Sequence, residues 1–214
     1  MFNAAEGIPN IYRGSARAEI IWTDEDILAF EQEALRQGST HIADGLRLAA
    51  LTGLRREDLV TLTWEEVGEI AIEKLAAKVS RGRRRRVIIP RLPALDELLN
   101  ELRARSRVDG VNTVLVNSYG RAWSVSGFGG SFNRIRDGAG IVHIDRDSKK
   151  EVKKHLHDVR GTFCTNLITA GKLADREVAE IMGWSPDKVA GIRRTYVDQG
   201  AVNMAIAGRL REGL

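Results

Sequence analysis

The stretch "KKHLHDVRGTFCTNL", residues 153–167, combines a regular apolar pattern with two side chains that suit chemistry on an anion. Its apolar residues recur at helical spacing and predict one core-facing stripe, formed by Leu156, Val159, Phe163 and Leu167. His157 and Arg160 are three residues apart, so on a helix they lie one turn apart beside that stripe. Two interpretations stay open here. The pair is part of a reactive site, or His157 bonds a local carbonyl while Arg160 pairs with an acid such as Asp158.

The composition is that of a soluble globular protein. The chain has 214 residues, of which 43% are hydrophobic and 29% charged, enough for one domain with a core and at most a short extension. Its apolar runs fall far short of the ~20 residues that cross a bilayer, and its N-terminus lacks the apolar region of a secretory signal. The single cysteine excludes disulfides and a cysteine-based metal site. We therefore expect a cytoplasmic protein without a membrane span.

Charge is distributed unevenly along the chain. Residues 19–58 hold nine acidic and four basic residues, whereas residues 78–107 hold ten basic and three acidic ones. Such a local excess is typical of a face that binds a polyanion. An ordinary solvated surface carries similar runs, so charge alone does not decide between the two interpretations.

Periodicity and caps predict a mostly helical chain with one small β-region. Thr23 and Gly38 bound the first helix, Gly53 ends the second, and "RREDLVTL" is a third, short one. Residues 67–90 predict a small antiparallel sheet with Gly82 in its turn. Further helices are predicted at about 93–105, 124–137, 153–170, 174–182 and 187–197. The predicted fold class is α+β, mostly α-helical, with a small antiparallel three-stranded sheet or β-hairpin.

Two segments place polar groups at junctions in the first half of the chain. In "ALTGLRREDLVTL", Arg55 directly follows the glycine-terminated helix, and Asp58 is spaced to orient a nearby guanidinium or imidazole. Acids also simply favour a first helical turn. Lys78 lies near the tip of the predicted hairpin, where an ammonium group either protonates a leaving oxygen or makes one phosphate contact among many.

The segment "EIMGWSPDKVAGIRRTYVD", residues 180–198, joins two predicted helices. Gly183 ends one, and Ser185 with Pro186 starts the next. Trp184 lies in the joint, and Tyr196 follows twelve residues later. Two interpretations fit this pattern. Trp184 is a core residue and Tyr196 an amphipathic one, or Trp184 is an indole N–H donor and Tyr196 a nucleophile.

Taken in order, these elements resemble the tyrosine recombinases, the phage-type integrases. The resemblance is carried by "TGLRREDLVTLTW", "LHDVRGTFCTNLITAG", "REVAEIMGWS" and "RRTYVD", and it spans roughly residues 22–200. It implies the catalytic-domain fold of DNA breaking–rejoining enzymes and site-specific recombination through a 3′-phosphotyrosyl intermediate. It also implies neither a metal nor any other cofactor.

The resemblance assigns a role to each motif residue. The expected site comprises an arginine pair, a hairpin lysine, a histidine, a tryptophan in place of a second histidine, a nucleophile and a supporting acid: Arg55, Arg160, Lys78, His157, Trp184, Tyr196 and Asp58. Three features depart from the family pattern. Val79 follows the lysine, which leaves Lys74 as an alternative; Gly161 stands where a histidine is common; and the spacing from Trp184 to Tyr196 is longer than usual.

The implied partner is double-stranded DNA. Its contacts are expected from the basic hairpin and the following basic segment, namely Arg81, Arg83, Arg84, Arg85, Arg86, Lys153 and Lys154. The family pattern also implies a tetramer on DNA, and a monomer or weak oligomer without it.

The resemblance divides the chain into a linker or arm over 1–21, a catalytic domain over 22–200 and a tail helix over 201–214. The tail docks on a neighbouring protomer or folds back on its own core. Because the usual N-terminal clamping domain is not in the sequence, we expect weak, strongly salt-dependent DNA binding. Two alternatives stay open: type IB topoisomerase activity, and a catalytically silent DNA-binding module of the same fold.

Overall fold

A computed structural model describes residues 20–80, 83–145, 148–169, 173–196 and 211. Within these ranges the chain forms helices and two antiparallel hairpins, which confirms the α+β, mostly helical class. In chain order the elements are α1 (Asp24–Arg36), α2 (Thr40–Thr52), α3 (Arg56–Val60), β1 (Ala71–Ser80), β2 (Arg83–Pro90), α4 (Pro93–Arg103), α5 (Val125–Gly138), β3 (Val142–Ile144), β4 (Glu151–Lys153), α6 (Val159–Thr169), α7 (Asp175–Met182) and α8 (Pro186–Tyr196).

The first two helices begin and end as their sequences predict. Thr23 caps α1 in a capping box with Asp26, whose carboxylate accepts the Thr23 backbone N–H at 2.7 Å. Helix α2 ends at Gly53, whose φ of +60° lies in the left-handed region. A Cβ at Gly53 would lie 2.4 Å from Cδ1 of Phe163 on α6. Both the left-handed backbone and the close approach of Phe163 therefore require glycine at position 53, two residues before Arg55.

An aromatic cluster forms the centre of the core between α1 and α5. Trp22, Phe30, Phe128 and Phe132 are each 1% exposed or less, and their rings pack at centroid distances of 4.8–6.4 Å. Trp22 also bonds to the segment that carries the predicted site, because its indole N–H donates to the His155 carbonyl at 3.0 Å. The core thus holds the start of α6 in place. The catalytic domain was predicted to begin at residue 22, and this boundary stays a prediction.

The predicted small antiparallel β-region takes the form of the β-hairpin, rather than of a three-stranded sheet, in the described part of the chain. Within the described residues β1 and β2 form a two-stranded sheet, and Val67 adds only a single bridge to Ile72. The Gly68 N–H donates to the Ala71 carbonyl at 3.0 Å, so the chain makes a tight turn immediately before β1. A second two-stranded sheet, β3 with β4, forms elsewhere.

The predicted helix 153–170 begins later than its periodicity suggested. Strand β4 ends at Lys153, a 3-10 turn covers Leu156–Asp158, and α6 starts at Val159. Backbone pairing of β4 with β3 keeps the start of this segment extended. The apolar stripe is nevertheless buried, since Leu156, Val159, Phe163 and Leu167 are 0–9% exposed.

Some predicted features lie outside the described residues: residues 1–19 of the arm predicted over 1–21, the hairpin tip at 81–82 and nearly all of the tail over 201–214. Among the helices that are described, none combines the length and the apolar character needed to cross a membrane.

Candidate active site

Arg55 and Asp58 bracket the start of α3. Arg55 is the N-cap residue in extended conformation, and its Nη1 atom lies 4.0 Å from Asp58 Oδ2. The Asp58 side chain is 2% exposed and accepts the Ala77 backbone N–H at 2.7 Å. One buried carboxylate therefore joins the arginine to strand β1. The carboxylate thus lies beside the guanidinium, and its supporting role in the site stays a prediction.

We expect Asp58→Ala to destabilise the protein by about 1–3 kcal/mol, because it leaves the Ala77 N–H without its acceptor. Asp58→Asn keeps an acceptor oxygen but loses the charge beside Arg55, so it should recover most of the stability. Urea unfolding of the two variants measures the difference. Equal losses in both would show that the bond to Ala77 contributes little.

The two candidate lysines lie in different environments on β1. Lys74 is 6% exposed, and its Nζ donates to Glu66 Oε2 at 2.8 Å and to the Thr61 carbonyl at 2.9 Å. Lys78 is exposed and lines a cavity of about 310 Å³ together with Arg55 and Arg85. Lys74 is thus committed to a structural ion pair, whereas Lys78 is available to a ligand in the cavity.

An irregularity in β1 places Lys78 there. The strand pairs are regular up to Leu75 with Arg86 and resume at Val79 with Arg84. Between them, residues 76–78 stand opposite Arg85 alone, which is a β-bulge. The bulge releases the Ala77 N–H for its bond to Asp58, and it brings Lys78 to the cavity wall.

Arg160 is a buried cation beside the tryptophan. Its side chain emerges from the first turn of α6, is 3% exposed, and donates from Nη2 to the Met182 carbonyl at 3.1 Å. The Nε atom is buried without a hydrogen-bond partner among the described residues, and the guanidinium carbon lies 5.2 Å from the Trp184 ring centroid. Burial, followed by the positive charge of Arg55, lowers the pKa of Arg160 to about 9. The group stays protonated at neutral pH, in surroundings that disfavour its charge.

His157 lies in the 3-10 turn before α6 and reaches solvent. Partial loss of hydration lowers its pKa, and the neighbouring cations Arg160 and Lys188 lower it further. Asp158 acts in the opposite direction and raises the pKa. The imidazole is therefore neutral at pH 7 and can accept a proton.

Trp184 follows Gly183 in the chain, and its ring packs against the guanidinium of Arg160. Gly183, with φ of +60°, ends α7, and the tryptophan follows it directly, as predicted. Gly183 and Ser185 both line the Arg55–Lys78 cavity. The structure thus brings Arg55, Lys78 and the residues around Trp184 to one cavity, with Arg160 packed against the indole.

Tyr196 is the last residue of α8, and its side chain lies outside the described part of the chain. The helix itself is well anchored. Val189 and Ile192 are buried, and Arg193 donates to Asp175 Oδ1 at 2.6 Å on α7. The route of the backbone to residue 196 is therefore fixed by α7 and the core.

The predicted DNA contacts divide into exposed and buried residues. Arg84, Arg85 and Arg86 are exposed on β2, and Arg86 pairs with Glu73 at 2.8 Å. Lys153 is exposed, whereas Lys154 is 6% exposed and its ammonium pairs with Asp26. That burial favours a structural role for Lys154. Arg81 and the Arg83 side chain lie outside the described residues.

One cation of this site was not foreseen. The Nζ atom of Lys188, in the first turn of α8, lies 3.8 Å from the Trp184 ring centroid. Its four-residue spacing from Trp184 was the available signal, but a lysine in that position also fits a solvated helix face.

Comparison with known proteins identifies the family. The model of the phage integrase family matches residues 24–199. No curated protein sequence matches the chain significantly.

Solved structures show the same fold at low sequence identity. A lambda integrase (residues 75–356) dimer bound to a COC′ core site aligns with 18% identity and a TM-score of 0.64 over 84% of this chain and 60% of that one. A lambda integrase tetramer bound to a Holliday junction aligns with 17% identity and a TM-score of 0.60, over 78% of this chain and 47% of that one. The Tn1549 transposon integrase in complex with transposon right end DNA aligns with 19% identity and a TM-score of 0.61, over 90% of this chain and 66% of that one.

This chain therefore spans about half to two thirds of the length of those proteins. The family match, by contrast, extends over most of the chain and includes every motif quoted above. The protein belongs to the phage integrase family of tyrosine recombinases.

Proposed function

We propose that the chain is the catalytic domain of a site-specific DNA recombinase that cleaves and rejoins strands by transesterification. Tyr196 attacks the scissile phosphorus, the 5′-oxygen leaves, and the product is a 3′-phosphotyrosyl bond. One phosphoester replaces another, so the step needs no external energy source. The proposal is carried by the buried guanidinium of Arg160, whose Nε has no hydrogen-bond partner within the described ranges, together with the cavity that Arg55 and Lys78 line.

The two arginines suit the charge that develops in this reaction. Their planar groups are permanently charged and donate paired hydrogen bonds to phosphate oxygens. Charge builds on the non-bridging oxygens in the transition state, and preorganised donors stabilise it there. Arg55 and Arg160 therefore hold the phosphate, and Trp184 adds the indole N–H as an uncharged donor.

Proton transfer is assigned to the two remaining groups. A phenol with its ordinary pKa of ~10 is a weak nucleophile and needs a base; the neutral imidazole of His157 accepts its proton. The leaving 5′-oxygen takes a proton from Lys78 on the cavity wall. Cys164 is not a rival nucleophile, because burial raises the pKa of its thiol to about 11.

The test is covalent trapping. A pool of nicked duplexes of random sequence is incubated with the full chain, and protein-linked strands are recovered under denaturing conditions and sequenced. An adduct with an enriched site supports the proposal. DNA binding without any adduct would favour a silent DNA-binding module, and plasmid relaxation without recombined product would favour type IB topoisomerase activity.

The pH dependence of adduct formation tests the role of His157. Because its pKa lies below its ordinary value of 6.5, the neutral form of the base still predominates at pH 6.5. We expect the single-turnover rate to fall only below that pH. His157→Gln should lower the rate by about 10²–10⁴-fold and remove this acidic limb. A midpoint above 6.5 that survives the substitution would assign the base elsewhere.

DNA is the proposed scaffold for assembly. The matched lambda integrase tetramer is bound to a Holliday junction, and strand exchange needs several active sites on two duplexes. We expect this chain to sediment as a monomer or weak oligomer alone and as a tetramer on recombining DNA.

A further inference from the structure

Lys188 occupies a position that the proposed roles of the other site residues leave unexplained. It lies in the first turn of α8, and its ammonium packs 3.8 Å from the centroid of the Trp184 ring. The Arg160 guanidinium faces the same indole at 5.2 Å. Two cations thus share one aromatic ring beside the cavity of the proposed scissile phosphate.

The charge balance around Lys188 is incomplete. No described carboxylate lies within ion-pair distance of its Nζ. Asp58 lies 4.0 Å from Arg55 and raises the pKa of Arg160 by electrostatic attraction. Loss of hydration lowers the pKa of Lys188, and Arg160, Arg55 and Lys78 lower it further. An anion placed among these groups would relieve the repulsion.

The indole provides only a weak partner for such a cation. A cation–π contact at a partly exposed site is a modest interaction, and a charge-assisted hydrogen bond to a phosphate oxygen is stronger. Lysine is also flexible, with a four-carbon stem and three donors. The side chain can therefore exchange the indole for a phosphate oxygen through its own rotatable bonds.

We propose that Lys188 is a further catalytic residue, which contacts a non-bridging oxygen of the scissile phosphate. This inference rests on the proposed function of the same site. Lys188 precedes Tyr196 on α8 by eight residues, about 12 Å along the helix axis. The contact therefore links the bound phosphate to the helix that carries the nucleophile.

The competing explanation is structural, in which the lysine stem only covers one face of Trp184. Lys188→Met keeps that cover and removes the charge, whereas Lys188→Arg keeps the charge. Arg176→Met is the matched control, because Arg176 is an exposed cation on the neighbouring helix, paired with Glu180 at 3.7 Å. Thermal unfolding of each variant verifies that the fold is intact.

The binding experiment measures affinity for one short duplex of mixed sequence over a range of salt concentrations, with every variant in a Tyr196→Phe background. Loss of one phosphate contact lowers the slope of log K against log[salt] by about 0.9. We expect this decrease for Lys188→Met and neither for Lys188→Arg nor for Arg176→Met. A slope unchanged by Lys188→Met would overturn the proposal, whether or not the protein is active.

The kinetic experiment uses the site recovered by trapping, with Tyr196 intact. Lys188→Met should lower the rate of adduct formation by about 10²–10³-fold, the usual effect of losing one transition-state donor. A 5′-bridging phosphorothiolate, whose sulfur leaves without protonation, should restore Lys78→Ala but not Lys188→Met. If the phosphorothiolate rescues Lys188→Met, Lys188 is a proton donor instead. If Lys188→Met forms the adduct at the wild-type rate, the proposed contact is refuted. Without any wild-type adduct the proposed function fails, while the salt slope still decides on Lys188.

Discussion

We expect Tyr196→Phe to abolish the covalent protein–DNA adduct and to leave DNA binding nearly unchanged. The substitution removes only the phenolic oxygen, which is the atom that forms the bond to phosphorus. Loss of the nucleophile in a covalent enzyme lowers the rate by about 10⁶-fold, so no adduct should be detected in trapping assays. Denaturing gels with labelled nicked duplex measure the adduct, and equilibrium binding of the same duplex measures affinity.

Another tyrosine of the chain provides a matched control. Tyr119 is 80% exposed in the loop between α4 and α5, and Tyr119→Phe removes the same atom there. Its adduct should form at the wild-type rate. Peptide mapping of the trapped complex should place the linked nucleotide on residue 196. A nucleotide mapped to any other side chain would refute the proposed mechanism.

Arg160→Met should change activity and stability in opposite directions. Methionine fills a similar volume and removes a buried charge that no described carboxylate pairs. Replacement of buried charges by apolar groups of similar volume often stabilises proteins by about 1–4 kcal/mol. The same change removes a phosphate fork, and we expect adduct formation to fall by at least about 10²–10³-fold.

Two measurements separate these effects. Urea unfolding without DNA should show a higher midpoint for Arg160→Met than for wild type, and single-turnover trapping should show the loss of rate. Arg160→Lys retains a charge without the planar fork, so it should lose activity without the gain in stability. If Arg160→Met is less stable than wild type, its bond to the Met182 carbonyl outweighs the cost of the buried charge.

Much of the fold is local in origin and could be predicted from sequence. Short segments of sequence determine the Thr23 cap, which starts α1, and the left-handed residues Gly53 and Gly183, which end α2 and α7. The buried stripe of α6 was also predicted correctly, because its apolar residues keep helical spacing across the 3-10 turn.

Features that depend on distant partners could not be predicted in this way. Strand β4 is three residues long and is extended only because β3 pairs with it. Lys154 resembles its neighbour Lys153 in sequence, but Asp26, 128 residues away, is its partner in the core. Lys188 reaches the site only through the packing of α8 beside Trp184.

The bulge in β1 has a consequence for how this hairpin can vary in length. Three residues of β1 stand opposite one of β2, so the excess is two, and alternation between the faces resumes unaltered beyond it. Insertions or deletions of two residues would preserve which side chains face inward and change only how far the ammonium of Lys78 extends. A single-residue change would exchange inner and outer faces for the rest of the strand. We therefore expect a two-residue insertion at the bulge to change the reach of Lys78 while the inward-facing side chains of the strand stay in the core.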